Sequence, residues 1–312
     1  MELIRGLHNL RARHRGCVVT VGAFDGVHQG HQAVIAHLRE RSQELGLPSA
    51  VIVFEPLPRE YFAPLEAPPR LMSFREKFQA LRQLGVDRLL RVRFDERVRS
   101  MSAKAFVEDV FVHGLGARHI VLGDDFRFGN EREGDLAFTR QLGQVHGFDA
   151  MPTPTFELNG ERVSSTRIRE ALGQSRFTEA AEMLGRPYSI AGKVIYGRQL
   201  GREMGVPTAN VALNRLRSPL SGVFAVQVSG AGLASVPGIA NVGTRPTVDD
   251  SIRAILEVHL LDADVELYGH HIDVTFLHKV REEKKFESLD ALKAAITSDV
   301  DRTRDWFASR TQ

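Results

Sequence analysis

Cysteine is almost absent from this chain: one residue, Cys17, among 312. A single thiol excludes an internal disulfide framework and fits a reducing compartment. Its place in an apolar run makes it structural rather than reactive. An excess of one charge sign is lacking too. Forty-one Lys and Arg against 39 Asp and Glu leave a formal charge of +2, too little to read as a nucleic-acid-binding surface. The arginines at 88, 91, 93, 97 and 99 are interleaved with Asp87, Asp95 and Glu96 and read as a solvated face. Aromatic residues make up 7% and form no stripe with basic neighbours, which argues against a single-stranded RNA groove. No stretch approaches the roughly 18 apolar residues that span a bilayer. The first fifteen residues hold no apolar core of a secretory signal. Internal repeats and low-complexity tracts are also missing. These absences predict a cytoplasmic chain with no nucleic-acid or membrane partner; a monomeric or weakly homo-oligomeric state is expected, though no residue pattern fixes it. Its length favours two domains.

The first half alternates strand and helix signals. Apolar, β-rich runs at residues 17–21, 50–54, 87–92 and 119–122 are separated by helix-like segments at 32–45, 74–84 and 103–114. Alternation at this spacing predicts βαβ units and a parallel sheet, with ligands at the carboxyl ends of the strands. The most informative stretch is Gly22-Ala-Phe24-Asp25-Gly26-Val-His28-Gln-Gly-His31, between the first run and its helix. Strand, glycine-rich turn and helix together place backbone N–H groups and a positive dipole where an anion can sit. Two imidazoles three residues apart can each donate a hydrogen bond to phosphate. The plainer alternative is an ordinary strand-to-helix turn with His31 as a first-turn helix residue. A metal pair is disfavoured, because no Cys or His-Glu-x-x-His pattern accompanies the histidines. A second loop, Gly123-Asp-Asp125-Phe126-Arg-Phe128-Gly129, follows another strand end. Ser164-Ser165-Thr166, ahead of Arg169, has the hydroxyls of a helix start.

Near Gly185-Arg-Pro187 the pattern changes to short strands at 189–195, 208–213, 223–228, 236–242, 254–261 and 272–277, punctuated by glycines. Such spacing predicts an antiparallel sandwich or barrel, closed by one amphipathic helix from 289 to about 307. Domains of 1–184 and 185–312 are expected. Gly197, Gly201 and Gly205 precede Pro207-Thr208-Ala-Asn210. Glycine-rich backbone can form an anion-binding concavity. Thr208 and Asn210, two apart on a strand, point the same way, and their oxygens suit Mg²⁺. A plain glycine-rich loop ahead of a strand fits these residues about equally well. Glu257 shares a strand face with Ile255 and His259, opposite Leu256, Val258 and Leu260. A carboxylate there could act as a general base, although a solvent-facing strand residue is the commoner case.

With these motifs in view, the chain resembles the bifunctional bacterial riboflavin kinase/FAD synthetase family over nearly its whole length. Gly22–His31 is similar to the family's G-x-F-D-G-V-H-x-G-H, Gly123–Gly129 to its second nucleotide/flavin loop, and Ser164–Arg169 to its S-S-T-x-x-R segment. Pro207–Asn210 matches the kinase P-T-A-N motif, and Glu257 the position of the kinase base. The resemblance implies a Rossmann-like nucleotidyltransferase domain with a parallel sheet, then an antiparallel Greek-key β-barrel with a C-terminal helix. It implies ATP with Mg²⁺ or another divalent cation, and riboflavin, FMN and FAD as substrates and products. The site residues it implies are His28, His31 and Glu257 as catalytic groups, and Thr208 and Asn210 at the metal. Gly22, Phe24, Asp25, Gly26, Ser164, Ser165, Thr166, Arg169, Gly197, Gly201 and Gly205 would line ATP and its phosphates. Gly123, Asp125, Phe126 and Phe128 would line the flavin/nucleotide loop. Leu57 stands where the family often has His, acids occupy positions 124 and 125 where many members have Asn, and Ala295 replaces a common Gln. Two other readings remain: a nucleotidyltransferase for another phosphorylated acceptor with the β-domain as accessory, and a binding module whose β-domain grips RNA.

Overall fold

The computed structural model of the chain describes residues 1–123, 125–153, 155–196, 206–246, 252–263 and 265–310. Contacts divide the chain into two compact units, Met1–Pro68 with Phe74–Ser164, and Pro69–Ser73 with Ser165–Gln312. The sequence change at 184/185 therefore falls inside the second unit.

The first unit is built on six parallel strands: β1 (Glu2–Arg5), β2 (Cys17–Val21), β3 (Ser49–Glu55), β4 (Arg88–Arg93), β5 (Ala117–Gly123) and β6 (Asp149–Thr153), in the order β1-β4-β3-β2-β5-β6. Every residue of β2 is buried, as expected of a central strand covered on both faces. Connections run from β2 toward β3 and β4 on one side and β5 and β6 on the other. The order thus reverses between β2 and β5, the place where open α/β sheets bind ligands. Helices α1 (Gln29–Glu44), α2 (Pro58–Phe62), α3 (Phe74–Gln83), α4 (Glu96–Arg99), α5 (Ala103–Phe106) and α6 (Leu136–His146) complete the crossovers, and the strands β7 (Glu157–Leu158) and β8 (Glu161–Arg162) form a small hairpin.

The four expected strands are present, and β1, β6 and α6 are among the elements that go beyond the expectation. The β1 strand has four residues and lies at an edge. The β6 strand contains Pro152, which lowers its strand signal yet is tolerated because β6 is the other edge. The α6 helix is capped by Asp135, whose carboxylate accepts from the Phe138 N–H at 2.8 Å, and ends at Gly147 with φ 75°. After α5 the backbone continues as a π-helix, Val107–Gly114, in which the Leu115 N–H reaches the Val110 carbonyl. A Cβ at Gly114 would stand 2.8 Å from the Asp109 carbonyl oxygen.

Cys17 is fully buried, its thiol 3.5 Å from the Leu115 carbonyl, and burial pushes its pKa up to about 12. The native protein is expected to resist alkylation at mildly alkaline pH and to take up one label on unfolding. Mass spectrometry reads this directly, and rapid labelling of the folded chain would contradict the packing.

The second unit is a closed antiparallel barrel of β9 (Ser189–Ile195), β10 (Ala209–Ala212), β11 (Gly222–Gly230), β12 (Leu233–Pro246), β13 (Ile252–Leu260) and β14 (His271–Arg281), in the order β10-β13-β12-β11-β14-β9. The run β11-β12-β13 is a meander, and β14 returns to lie beside β11, which is a Greek key. Alternate residues point inward: Val211, Phe224, Val242, Leu256, Val258, Val274 and Phe276 are buried. The pair α7 (Ser165–Gly173) and α8 (Phe177–Leu184) belongs to this unit, with Phe177 edge-on to Phe224, itself edge-on to Phe276. The closing helix, α9 (Leu289–Ala308), is held to β14 by Arg281, whose guanidinium nitrogens lie 2.8 Å from the Asp299 carboxylate.

The strap Pro69–Ser73 is wrapped by side chains of the second unit. Arg169 Nε donates to the Pro69 carbonyl at 2.7 Å, and the Tyr188 hydroxyl to the Leu71 carbonyl at 3.1 Å. Arg215, 8% exposed, donates through Nη1 to the carbonyls of Arg70 and Leu71 at 3.2 and 3.0 Å. Charged donors this deeply buried need such acceptors.

Candidate active sites

In the first unit the chain leaves β2 through a turn that ordinary side chains rarely adopt. Phe24, Gly26 and Val27 have φ of 48°, 86° and 41°. A β-branched residue at positive φ is an outlier, and each such non-glycine residue costs on the order of 1–3 kcal/mol. The turn is kept because its surroundings fix it. Phe24, Asp25 and Val27 are all buried, shaping the turn from inside, and Gln32 Nε2 donates to the Val27 carbonyl at 2.9 Å. The helix starts earlier than the sequence pattern suggested, at Gln29 rather than residue 32. His28 is therefore the N-cap residue and His31 sits in the first turn.

The two imidazoles form a unit. The His31 backbone N–H donates to His28 Nδ1 at 3.3 Å. An accepting Nδ1 leaves the proton of neutral His28 on Nε2, which makes Nε2 a donor. The rings stack with centroids 3.7 Å apart and planes 20° apart, and Phe24 lies 5.0 Å from the His31 ring. Gly30 permits this, since a Cβ there would lie 3.2 Å from the His28 ring. His31 titrates well below the ordinary imidazole range, chiefly through burial and further through the neighbouring His28 and Lys77. Its Nδ1 is buried without a hydrogen-bond partner. A helix N-terminus carrying two stacked imidazoles, of which the buried His31 resists protonation, suits a bound phosphate whose charge grows during reaction.

Two charged residues of this region escaped the sequence reading. Lys77 on α3 and Glu55 at the end of β3 are 1% and 7% exposed, with Lys77 Nζ 3.6 Å from Glu55 Oε1. The available signal was a lysine one helical turn ahead of Leu81, on the buried face of α3.

The loop after β5 divides by burial. Asp125 is exposed and pairs with Arg162 of β8 at 2.8 Å, a contact worth little in solvent. Gly123 and Phe126 are half-buried. Phe128 is buried in the core, 5.5 Å from Phe106 and 5.7 Å from Phe126 between ring centroids, so its placement is that of a packing residue supporting Phe126. Ser164 closes the first unit. Ser165 opens α7 in the second, followed by the exposed Thr166 and by Arg169 on the strap.

In the second unit the barrel register assembles a polar row. Asn210 of β10 is directly opposite Glu257 of β13, which is directly opposite Asn241 of β12. Opposed residues of antiparallel strands share a face, with Cβ atoms about 4.5–5.5 Å apart. Leu256 and Val258 on either side of Glu257 are buried, so this face is the outer one, as the alternation in the sequence implied. The Pro207 carbonyl lies 2.8 Å from His259 Nδ1, which pins the approach of Thr208 beside the Glu257 strand. The ordered strand begins at Ala209, so Thr208 is the residue just ahead of it. Asn241 was not anticipated, although it is the one polar side chain in the apolar run 236–242. Gly197, Gly201 and Gly205 lie outside the described residues.

Comparison with known proteins adds two family matches. The FAD synthetase family model matches residues 10–167, and the riboflavin kinase family model matches residues 184–307. A bifunctional riboflavin kinase/FMN adenylyltransferase of Pseudomonas fluorescens is 52% identical over 304 residues, covering 97% of each chain. Its counterpart in Escherichia coli K12 is 48% identical over 308 residues and 98% of each chain. A solved structure described as a macrolide-efflux protein from Streptococcus pneumoniae has a TM-score of 0.78 at 29% identity, covering 98% of this chain and all of that one. That description names efflux, whereas the sequence relatives name flavin enzymes. Among the described residues no helix is long and apolar enough to cross a membrane.

Proposed function

This chain belongs to the bifunctional riboflavin kinase/FMN adenylyltransferase family, and from that premise we propose which residues carry its two ATP-dependent steps. The flavokinase match over 184–307 and the change of pattern near 185 favour a kinase domain of 185–312 and an adenylyltransferase domain of 1–184.

The row Asn210–Glu257–Asn241 carries the kinase assignment. Glu257 accepts the proton of the riboflavin 5′-hydroxyl as that oxygen attacks the γ-phosphorus of ATP and ADP departs. One carboxylate among neutral amides suits this role, because it takes the proton without a second acid competing for it. Phosphoryl transfer otherwise depends on positioning and charge neutralisation. Thr208 and Asn210 offer a hydroxyl and an amide oxygen, hard donors of the kind Mg²⁺ takes alongside water and phosphate. Among the described residues no group of three His, Cys, Asp or Glu could hold a metal by itself, which favours a cation arriving with ATP. That cation would neutralise phosphate charge.

At the other site the FMN phosphate attacks the α-phosphorus of ATP and pyrophosphate leaves, with no protein nucleophile. His28 and His31 donate hydrogen bonds to phosphate oxygen as negative charge accumulates. The turn Gly22–Gly26 offers backbone to the phosphates. Ser164, Ser165, Thr166 and Arg169 act on the departing pyrophosphate, and Gly197, Gly201 and Gly205 on the kinase phosphates. Phe126 with Gly123 and Asp125 borders the flavin, over Phe128. A cytoplasmic, monomeric or weakly self-associating protein fits this work.

The test is to incubate the pure protein with riboflavin, ATP and Mg²⁺ and separate the flavins by chromatography. FMN followed by FAD is expected. Riboflavin recovered unchanged would overturn the kinase assignment, and FMN alone would overturn the adenylyltransferase one. Omitting Mg²⁺ should stop both products.

A further inference from the structure

Thr153 ends the edge strand β6 with 4% of its surface exposed, and among the described residues its hydroxyl has no hydrogen-bond partner. Buried polar groups are nearly always paired, so one that is not calls for a reason. Packing does not supply it. Valine has the same shape, strands no hydroxyl in the interior and suits a strand equally well. The position of the hydroxyl does supply one. Thr153 lies directly beside Gly123, the last residue of β5, at the carboxyl end of the sheet and next to the reversal between β2 and β5. Residues two apart on a strand share a face, and Arg41 Nη2 of α1 lies 3.3 Å from Met151 Sδ. Thr153 is therefore on the face that α1 covers. The chain beyond β6 stays with that helix, since a Cβ on Gly30 would lie 3.7 Å from Phe156 Cβ. His31 Nδ1, in the first turn of α1, is likewise buried and unpartnered. Two unpaired polar atoms thus belong to neighbouring elements at one end of one face. Gly123 leaves room beside the hydroxyl: among the described residues, a Cβ there would meet only Asp125 Oδ1, at 3.6 Å.

We propose that the Thr153 hydroxyl binds ATP during adenylyl transfer, hydrogen-bonding its uncharged adenosine part. The inference rests on reading the turn after β2 as the adenylyl-transfer site. A hydroxyl both donates and accepts, which matches the base edge and the ribose, while the N-terminus of α1 suits the phosphates. ATP is favoured over FMN by the run of the chain. Thr153 and Ser164 bound one segment of the first unit, and Ser164 is assigned above to the departing pyrophosphate. The two ends of that segment then hold the two ends of one molecule. ATP gives the hydroxyl the partner that the described residues do not. The bond is the same before and during the reaction, so it lowers KM without raising kcat.

The test uses the full chain and follows FAD formation from supplied FMN with ATP varied and Mg²⁺ in excess. Thr153→Val should raise the KM for ATP about 3–10-fold, the worth of one neutral hydrogen bond, with kcat and the KM for FMN unchanged. FMN formation from riboflavin by the same polypeptide should not change. The variant should melt no lower than the wild type, because it leaves no buried hydroxyl unpaired. Thr153→Ser keeps the hydroxyl and should keep the wild-type KM. Thr153→Ala, with the same expected rise in KM, serves if the valine variant fails to fold. Tripolyphosphate, which carries the phosphates without adenosine, should inhibit FAD formation by wild type and Thr153→Val equally. An unchanged KM for ATP overturns the proposal, whether or not the variant melts lower, and would leave the hydroxyl a structural role. A rise in the KM for FMN instead, or weaker inhibition of the variant by tripolyphosphate, overturns it by placing the hydroxyl on another ligand or on phosphate. Wild-type protein that makes no FAD from FMN defeats the functional reading, and the proposal falls with it.

Discussion

A His28→Ala protein is expected to convert riboflavin to FMN at the normal rate and to form FAD about 10²–10³ times more slowly, the usual loss for one preorganised donor at a developing charge. Two effects of the substitution compete. The imidazole also caps α1 by accepting from the His31 N–H, and losing a cap costs about 1 kcal/mol of stability. The lost donor corresponds to about 3–4 kcal/mol of transition-state stabilisation, so the rate effect dominates as long as the unit stays folded. A His28→Asn protein separates the two. Asparagine is a good N-cap, and its amide cannot reproduce the stacked imidazole, so thermal stability should return while the FAD rate does not. Both products are read from one chromatogram. Equal loss of FMN and FAD formation would contradict separate sites.

The complementary result is expected at the barrel. Glu257→Gln should slow FMN formation by about 10²–10⁴, the range for a positioned proton acceptor, and leave the conversion of supplied FMN to FAD intact. Glutamine keeps the size and a hydrogen-bonding oxygen between Asn210 and Asn241, so the barrel register should survive, which circular dichroism can verify. A Glu257→Gln protein that makes FMN at the normal rate would remove Glu257 from the base role. An Asn241→Ala protein with normal FMN formation would reduce that residue to a bystander of the row.

Much of this architecture is visible in the sequence because it depends on local periodicity. Short apolar runs punctuated by glycines mark the barrel strands, and period-two alternation along 254–260 puts Glu257 on the outer face, because Leu256 and Val258 fill the interior. The apolar run of Cys17–Val21 marks the central strand of the parallel sheet by the opposite sign, an unbroken run buried on both faces. What could not be read depends on contacts far apart in the chain. The pairing of Asn210 and Asn241 with Glu257 is a matter of register between three strands, and no single strand encodes it. The Lys77–Glu55 pair joins a helix to a strand end, and each member alone resembles a surface charge. The backbone of Phe24 and Val27 is held against its own preference by the folded surroundings, so residue type points the wrong way. Proline hid β6, because its penalty is real in a central strand and absent at the edge where β6 lies.

The strap at Pro69–Ser73 bears on how the chain is made. Arg169 meets Pro69 across 100 residues of sequence, Tyr188 meets Leu71 across 117, and Arg215 meets the same carbonyl across 144. During synthesis the strap leaves the ribosome long before any of these partners exist. The parallel sheet has all its strands as soon as β6 is out, while these five residues, which lie in sequence between β3 and β4, still wait for their partners. Their carbonyls stay with water until the arginines and the tyrosine arrive. Translation order thus leaves the second unit unfinished until residue 215 is out, although its first five residues are among the earliest made, and a gene that separated the two halves would leave the strap's carbonyls without these donors.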